Sequence, residues 1–245
     1  MEVVKPVKRN VLLNPGPATT SDAVKYAQVI PDICPREQEF VDIMTRVRKD
    51  LVKVVHGDPE KSTSVIFTGS GTIVQDVLVN SLVPEGKKIL VVNNGAYAAR
   101  MVEIAQYYNI DCVDIQSSTT GLPDLAEVKK AIEEDKDIAV VAAVHHETGT
   151  GVLNPVKEIG RIAHDNDCIF IVDTISTYGL RPIDIEEENI DFLMSSAQKG
   201  LAAMTGASWT VGNIKAIEKS KDYPTRSYYC NLFMQYDFFN RVGEM

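Results

Sequence analysis

The sequence has 245 residues, of which 44% are hydrophobic and 24% charged, with 15 glycines and 11 prolines. These proportions are close to the globular average and exclude disordered, collagenous and low-complexity classes of protein. The 25 basic and 34 acidic residues give a net charge of −9, which argues against a nucleic-acid-binding surface.

Neither a membrane span nor a secretory signal is expected. No segment approaches the roughly 20 uninterrupted apolar residues that a bilayer-spanning helix needs. The first residues lack the long apolar core that follows the basic start of a signal peptide. The four cysteines are scattered without a CxxC pair, and we interpret them as reduced packing residues of a cytoplasmic protein: Cys34, Cys112, Cys168 and Cys230.

Along the chain, short apolar runs alternate with segments of helical period. The predicted strands cover residues 64–68, 88–93, 111–115, 137–144, 168–173, 191–196 and 208–212. The predicted helices cover residues 72–82, 98–108, 125–135 and 155–166. Apolar strands separated by helices are typical of a sheet buried on both faces. The sequence therefore predicts an α/β fold with a mostly parallel, doubly wound sheet.

Polar and glycine-containing segments follow five of the predicted strands. In chain order they are Gly69-Ser70-Gly71-Thr72, Asn94-Gly95-Ala96-Tyr97, His145-His146-Glu147-Thr148, Asp173, and Ala197-Gln198-Lys199. Parallel α/β sheets bind ligands beyond the carboxyl ends of their strands. The shared position of these segments therefore predicts one ligand site at that edge of the sheet.

The Gly-Ser-Gly-Thr turn suits an anion. Its glycines let backbone N–H groups approach the anion, the following helix adds partial positive charge, and the Ser70 and Thr72 hydroxyls can donate hydrogen bonds. The alternative is an ordinary strand-to-helix turn with a Ser or Thr N-cap. The turn lacks the Gly-Lys-Ser/Thr ending of a P-loop, and Val74 occupies the place of the third glycine of a dinucleotide fingerprint.

Asp173 ends one strongly apolar strand, and Lys199 follows another. A carboxylate there needs a partner, so Asp173 is either a structural cap or ion-pair member, or an acid placed against a protonated ring nitrogen of a ligand. Lys199 is either a surface lysine or a partly desolvated amine that can form a Schiff base.

Two further features leave alternatives open. The adjacent His145 and His146 point to opposite faces of an extended segment, and no third ligand lies at zinc spacing, so no metal site is expected. Tyr97 is a core or rim residue unless a planar ligand lies beside it. An anion cradle, an aromatic platform, an acid and a Schiff-base lysine together suit pyridoxal 5′-phosphate.

These blocks resemble the class V (fold-type I) pyridoxal-phosphate aminotransferases. The similar segments run in the family's order from residue 12 to residue 200: Leu12-Leu13-Asn14-Pro15-Gly16-Pro17, Thr68-Gly69-Ser70-Gly71-Thr72, Asn94-Gly95-Ala96-Tyr97, His145-His146-Glu147-Thr148-Gly149, Val172-Asp173-Thr174 and Ser196-Ala197-Gln198-Lys199-Gly200. The Asn-Pro-Gly-Pro and His-His-Glu-Thr blocks point to the branch of the family that uses 2-aminoethylphosphonate and pyruvate, or alanine and glyoxylate.

The resemblance implies a role for each matching residue. Lys199 would hold the cofactor covalently and serve as the catalytic base, and Asp173 would be the second catalytic residue, paired with the ring nitrogen. The remaining cofactor-binding residues would be Ser70, Gly71 and Thr72 at the phosphate, Tyr97 on the ring, Thr148 near the phenolic oxygen, and Gln198 at the phosphate end. The Asn14–Pro17 turn would lie near the substrate.

The expected function is amino transfer from 2-aminoethylphosphonate to pyruvate by a cytoplasmic homodimer that binds no metal, nucleic acid or membrane. The expected organisation is an N-terminal segment (1–20), a cofactor-binding large domain (21–225), and the start of a connection (226–245) to a C-terminal domain largely absent from this chain. The alternatives are an alanine–glyoxylate or serine–pyruvate aminotransferase, or a truncated domain without activity. A cysteine desulfurase is disfavoured because no cysteine stands in a recognisable mobile-loop context.

Overall fold

Strands and helices alternate through most of the chain. In a computed structural model, which describes residues 10–243, the strands are β1 (Ser62–Gly69), β2 (Lys88–Asn93), β3 (Cys112–Gln116), β4 (Ile138–Val144), β5 (His146–Glu147), β6 (Val152–Leu153), β7 (Ile169–Asp173), β8 (Phe192–Ser196) and β9 (Gly206–Asn213). The helices are α1 (Asp22–Tyr26), α2 (Gln38–Lys53), α3 (Gly71–Leu82), α4 (Ala96–Tyr107), α5 (Leu125–Glu134), α6 (Val156–His164), α7 (Ile214–Lys219) and α8 (Leu232–Gly243), with a short 3₁₀ helix at Ser220–Asp222.

Seven strands form one mixed sheet in the order β1-β9-β8-β7-β4-β2-β3, and β5 and β6 form a separate two-stranded hairpin. Strands β3, β2, β4, β7 and β8 pair in parallel, whereas β9 is antiparallel to both β8 and β1. Six of the seven strands therefore run in one direction, and their carboxyl ends meet at one edge. The predicted mostly parallel α/β sheet is confirmed.

The sheet is buried on both faces. Along β4, Val141 and Ala143 belong to one core cluster and Val140, Ala142 and Val144 to the other. The first cluster also contains side chains of α2, α5 and α6, and the second contains side chains of α3, α4, α7 and α8. Burial on two faces explains the apolar character of the strand, which lacks the alternation of a half-exposed strand.

Several elements lie outside the sequence prediction. The amphipathic helix α2 buries only Leu51 and Val52 along its length. The aromatic-rich helix α8 lies against β1, α2 and α3, where the Gln235 side chain donates to the Ile66 carbonyl at 3.0 Å. The β5–β6 hairpin has two residues per strand and is too short to produce a periodic pattern. Among the cysteines, Cys168 is buried and Cys34 exposed.

Within residues 10–243, no helix has the length and apolar character required to cross a bilayer. The N-terminal segment predicted for residues 1–20 lies partly outside the described residues. The predicted domain boundaries stay predictions.

The loop after β7 is anchored to α2 by Tyr178. This fully buried side chain donates its hydroxyl to the Leu51 carbonyl in the last turn of α2, where helix carbonyls lack intrahelical partners. Its ring makes an edge contact with Trp209, with 5.3 Å between ring centroids.

We expect Tyr178→Phe to lower the free energy of unfolding by about 1–2 kcal/mol, because the substitution leaves a buried carbonyl without a donor. Urea denaturation at neutral pH measures the change. Tyr107→Phe is the matched control, since the Tyr107 side chain is 81% exposed and its loss of a hydroxyl should change the free energy by less than about 0.5 kcal/mol. Equal effects of the two substitutions would contradict the anchoring role.

Candidate active site

Four of the predicted site residues line one cleft at the carboxyl edge of the sheet. They are Tyr97, Thr148, Asp173 and Lys199, and the same cleft is lined by Val144, His146, Ile175 and Ser176. Tyr97 lies in the first turn of α4, after β2, and Asp173 is the last residue of β7. Lys199 follows β8, and Thr148 follows the short strand β5. The parallel arrangement of strands thus gathers residues that are far apart in the sequence.

Asp173 is the buried acid of the cleft, with 3% of its surface exposed. Its Oδ1 accepts a hydrogen bond from the Ile175 backbone N–H at 2.9 Å, and its Oδ2 accepts one from Gln75 Nε2 at 2.6 Å. Burial raises the pKa of Asp173 to about 6, because removal from water disfavours the ionised carboxyl group. Within the described part of the chain the carboxylate forms no ion pair, so the structural ion-pair alternative does not explain it.

Lys199 lies against the N-terminal segment. Its Nζ donates to the Gly16 carbonyl oxygen at 3.2 Å, and the backbone N–H of Ala18 donates to the Gln198 carbonyl at 2.8 Å. Gly16 has a φ of 145°, and a Cβ added there would lie 2.3 Å from the Lys199 Cδ. Only glycine therefore allows the Asn-Pro-Gly-Pro turn to approach the lysine so closely.

Ser70, Gly71 and Thr72 stand where β1 passes into α3. Ser70 is the N-cap residue, yet its side chain makes no capping hydrogen bond, and both Ser70 and Thr72 are exposed. The N-cap alternative therefore does not account for the Ser70 hydroxyl. With Gly71 buried between them, the two exposed hydroxyls flank the start of a 12-residue helix, a place where backbone N–H groups and the helix dipole attract anions.

Arg100 adds positive charge to this helix start and was missed in the sequence prediction. Its Nη1 donates to Thr72 Oγ1 at 3.3 Å, and its guanidinium carbon lies 5.1 Å from the centroid of the Tyr97 ring. The residue connects the turn after β1 with the aromatic side chain of the cleft. Its role depends on the distance between two chain segments, which local sequence does not specify.

Gln198 is directed into a buried hydroxyl network. Its Oε1 accepts from the Ser196 hydroxyl, and the Ser208 hydroxyl lies 2.9 Å from Ser196 Oγ and 3.0 Å from the Gly69 carbonyl oxygen. The network joins the end of β8, before Lys199, to the end of β1, before Ser70.

Glu147, also missed, holds the start of α4. This residue is 1% exposed, and its Oε1 accepts from the Ala98 N–H at 3.1 Å, so that it supplies a carboxylate to a helix N-terminus whose N-cap, Gly95, has no side chain. A Cβ on Gly95 would lie 2.4 Å from the Glu147 Cδ. A polar residue directly before Thr148 in the strand-end segment is the sequence signal that could have identified it.

The two adjacent histidines have different partners, as expected for an extended segment. His145 is buried with Nδ1 3.0 Å from Thr177 Oγ1, and burial lowers its pKa to about 4. The Nδ1 of His146 lies 3.1 Å from Ser176 Oγ. Across residues 10–243, no group of three or more His, Cys, Asp or Glu side chains is arranged to hold a metal ion.

The sheet order defines a class of protein fold, that of the fold-type I aminotransferases. The crystal structure of ureidoglycine–glyoxylate aminotransferase from Bacillus subtilis superposes on all of this chain and on 63% of its own, with a TM-score of 0.88 at 22% identity. At that identity the similarity concerns the fold alone.

Sequence comparison is more specific. The aminotransferase class-V family matches residues 22–225, and the chain belongs to that family, whose members depend on pyridoxal 5′-phosphate. The chain is 34% identical over 233 residues to 2-aminoethylphosphonate–pyruvate transaminase of Lysinibacillus sphaericus (strain C3-41), covering 95% of this chain and 63% of the relative.

The chain is also 36% identical, over 227 residues, to a bifunctional phosphonoacetaldehyde hydrolase/aminoethylphosphonate transaminase of Clostridioides difficile (strain 630), covering 93% of this chain and 35% of that protein. The chain thus spans less than two thirds of the length of these curated relatives. The predicted family is confirmed, whereas the individual site residues stay predictions.

The raised pKa of Asp173 predicts a pH-dependent stability. The unfolded chain releases this proton near pH 3.8 and the folded chain near pH 6, so folding becomes less favourable as the pH rises between these values. We expect the free energy of unfolding of the wild type, relative to Asp173→Asn, to fall by about 3 kcal/mol between pH 3.5 and pH 7.5. A difference between the two proteins that stays constant across this range would contradict the buried, proton-retaining environment.

The contact between Gly95 and Glu147 predicts that Gly95→Ala destabilises the protein by about 1–3 kcal/mol, because the added methyl group displaces a buried carboxylate or the start of α4. Thermal and urea denaturation measure the loss. Gly149→Ala is the matched control, because a Cβ at Gly149 has no neighbour within 4 Å in the described part of the chain. If both variants unfold alike, the close approach of Glu147 is not what constrains Gly95.

Proposed function

We propose that this chain is the cofactor-binding part of an aminotransferase that moves an amino group from 2-aminoethylphosphonate to pyruvate, giving phosphonoacetaldehyde and alanine. The observation that carries the proposal is the cleft itself, where the amine of Lys199 and the buried carboxylate of Asp173 line one space with Tyr97 and Thr148. This combination of amine, acid, aromatic ring and hydroxyl suits a phosphorylated pyridine aldehyde.

The residues present fit pyridoxal 5′-phosphate by their chemistry. The Asp173 carboxylate is buried without a cationic partner among the described residues, as suits an acid that pairs with a protonated ring nitrogen. The Ser70 hydroxyl makes no capping hydrogen bond to α3, and Thr72 lies beside the positive charge of Arg100. Both features suit the binding of a phosphate group. Lys199 would hold the aldehyde carbon covalently, and Tyr97 would lie against the ring.

When bound, the cofactor supplies an electron-accepting ring conjugated to the donor's amino group. The residues of this chain then have separate tasks. Asp173 would hold a proton on the ring nitrogen, and Lys199 Nζ would accept the proton from the carbon that carries the donor's amino group. The turn around Gly16 holds that nitrogen in place, since the Gly16 carbonyl accepts a hydrogen bond from Lys199 Nζ at 3.2 Å. Thr148 and Gln198 would bind at the phenolic and phosphate ends of the cofactor.

The choice of donor and acceptor rests on the relatives. Two proteins named for the transfer from aminoethylphosphonate are 34% and 36% identical over more than nine tenths of this chain. The match of the class-V family to residues 22–225 supports a cofactor-binding domain at 21–225, between an N-terminal segment (1–20) and a connecting segment (226–245).

The proposal includes a homodimer in the cytoplasm. Large apolar side chains exposed near the N-terminus, such as Leu13 (95%) and Val29 (81%), support a surface that a second copy covers. The four cysteines are all free thiols, which suits a reducing compartment.

The cofactor proposal is tested by reconstitution. We expect purified chain mixed with pyridoxal 5′-phosphate to show a visible absorption band that borohydride fixes covalently to the protein, and Lys199→Ala to abolish this attachment. Lys49→Ala is the matched control, since Lys49 lies on α2 and does not line the cleft. A protein that never gains the band, although correctly folded by circular dichroism, would contradict the assignment.

The substrate proposal is tested separately by mixing the reconstituted protein with 2-aminoethylphosphonate and pyruvate and measuring alanine and aldehyde. We expect turnover that Lys199→Ala lowers by more than about 100-fold. Faster use of alanine with glyoxylate would move the protein to that branch of the family. A bound cofactor without turnover on either pair would identify a domain that holds the cofactor but does not complete the reaction.

A further inference from the structure

Gln75 is a polar residue on an otherwise apolar face of α3. It is fully buried, and it shares a helical face with Gly71, Leu78 and Leu82. A buried amide is costly unless its donors and acceptor find partners. The partners of Gln75 therefore indicate what the side chain does.

Both N–H groups of the Gln75 amide are used at the cleft. Nε2 donates to Asp173 Oδ2 at 2.6 Å and to the Tyr97 backbone carbonyl at 3.3 Å. The carbonyl of Tyr97 can only accept, so the amide cannot rotate to place its oxygen there without losing that bond. The amide orientation that satisfies the Tyr97 carbonyl also presents an N–H donor to Asp173. Such a donor stabilises the ionised carboxylate more than the protonated acid.

The acceptor of the same amide is left unpaired. Gln75 Oε1 is buried and has no hydrogen-bond partner among residues 10–243. An unsatisfied buried carbonyl destabilises a folded protein, and an apolar side chain of similar size would avoid the loss. The presence of the amide is explained by its two donated bonds, which join the acid of the cleft to its aromatic residue.

We propose that Gln75 is a positioning residue that keeps the Asp173 carboxylate ionised inside the fold and holds it in place relative to Tyr97. The inference deepens the proposed function, since a charged acid in a fixed position is what a protonated ring nitrogen requires. The Gln75 side chain does not line the cleft itself and acts through Asp173.

Several groups compete for the charge state of Asp173. Burial raises its pKa most, and the negative charge of Glu147 on β5 raises it further. The Ile175 N–H, the Gln75 amide and the positive charge of Arg100 on α4 lower it. Lys199 and His146 line the same cleft from the segments after β8 and β4. Of the two hydrogen bonds to the carboxylate, only that of Gln75 can be removed by a side-chain substitution.

The test is the titration of Asp173 in the protein without cofactor, followed by carboxyl ¹³C NMR, in wild type and in Gln75→Met. Methionine is close to glutamine in length and has no N–H donor. We expect the Asp173 pKa to rise by about one to two pH units in the variant, because a hydrogen bond to the charged form is lost. We also expect the dissociation constant for pyridoxal 5′-phosphate at pH 7.5, measured by absorbance titration, to rise about tenfold or more.

Asn80→Leu is the matched control for removal of a buried amide from the same helix. The Asn80 side chain is 1% exposed and donates to the Asp76 carbonyl at 2.7 Å and the Cys230 carbonyl at 2.8 Å. Within residues 10–243 it makes no hydrogen bond to a residue of the cleft. We expect this variant to lose stability while the titration of Asp173 stays at its wild-type value.

The proposal is overturned if Gln75→Met is less stable than the wild type but its Asp173 has the wild-type pKa. Gln75 would then have only a packing role. If Gln75→Met does not fold, Gln75→Leu also removes the amide donors without adding a titratable group and should raise the Asp173 pKa; an unchanged value overturns the proposal equally. The NMR titration needs no cofactor. Failure of the inference about Gln75 is therefore distinguishable from failure of the proposed function, which is tested by the absorption band of the wild-type protein.

Discussion

The buried carboxylate of Asp173 is the constraint on which the rest of the site depends. A strand buried on both faces of the sheet carries this residue to a place with almost no water, where an ionised group is unfavourable. Two donated hydrogen bonds, from the Ile175 backbone and the Gln75 side chain, offset part of that cost. The residual cost remains visible in the raised pKa of the acid. A carboxylate kept in this condition is suited to a cationic ligand group, because pairing would remove most of the remaining penalty.

The sheet provides the frame that brings this acid to its neighbours. Strands β2, β4, β7 and β8 end at one edge. Asp173 is the last residue of β7, and the segments that leave the other three strands carry Tyr97, His146 and Lys199. Beyond the strand ends, where the backbone hydrogen bonds of the sheet stop, contacts between these segments fix their positions. Glu147 holds the first turn of α4, the Ser196–Ser208 pair joins β8 to β9, and Gly16 brings the N-terminal segment onto Lys199. The cleft is therefore held by polar contacts between segments at the edge of an apolar core.

The central elements could be predicted because burial on two faces leaves a clear pattern. Residues 88–93 were predicted as a strand and form β2, and the helix predicted at 125–135 differs from α5 by one residue. Helices α2 and α8 were not predicted, because each buries only part of one face. The apolar residues of such a helix follow the shape of the segment it packs against, which lies far away in the sequence. The antiparallel direction of β9 was also not predicted, since a single short apolar run looks the same in a parallel and in an antiparallel strand.

The chemistry of the candidate site was accessible from the sequence by itself, because strand ends in a parallel sheet share an edge and the residue types at those ends belong to one kind of ligand. The sequence determined the fold class, the family, and the lysine and acid on which the proposed function rests. Only the tertiary structure decided that Gln75, Glu147 and Arg100 support those residues, and that the side chain of Gln198 is engaged in a buried hydroxyl network. The reason is physical: the contacts of Gln75, Glu147 and Arg100, and the link from the Gln198 network to Gly69, join segments that lie tens of residues apart in the chain, and no local pattern specifies that distance.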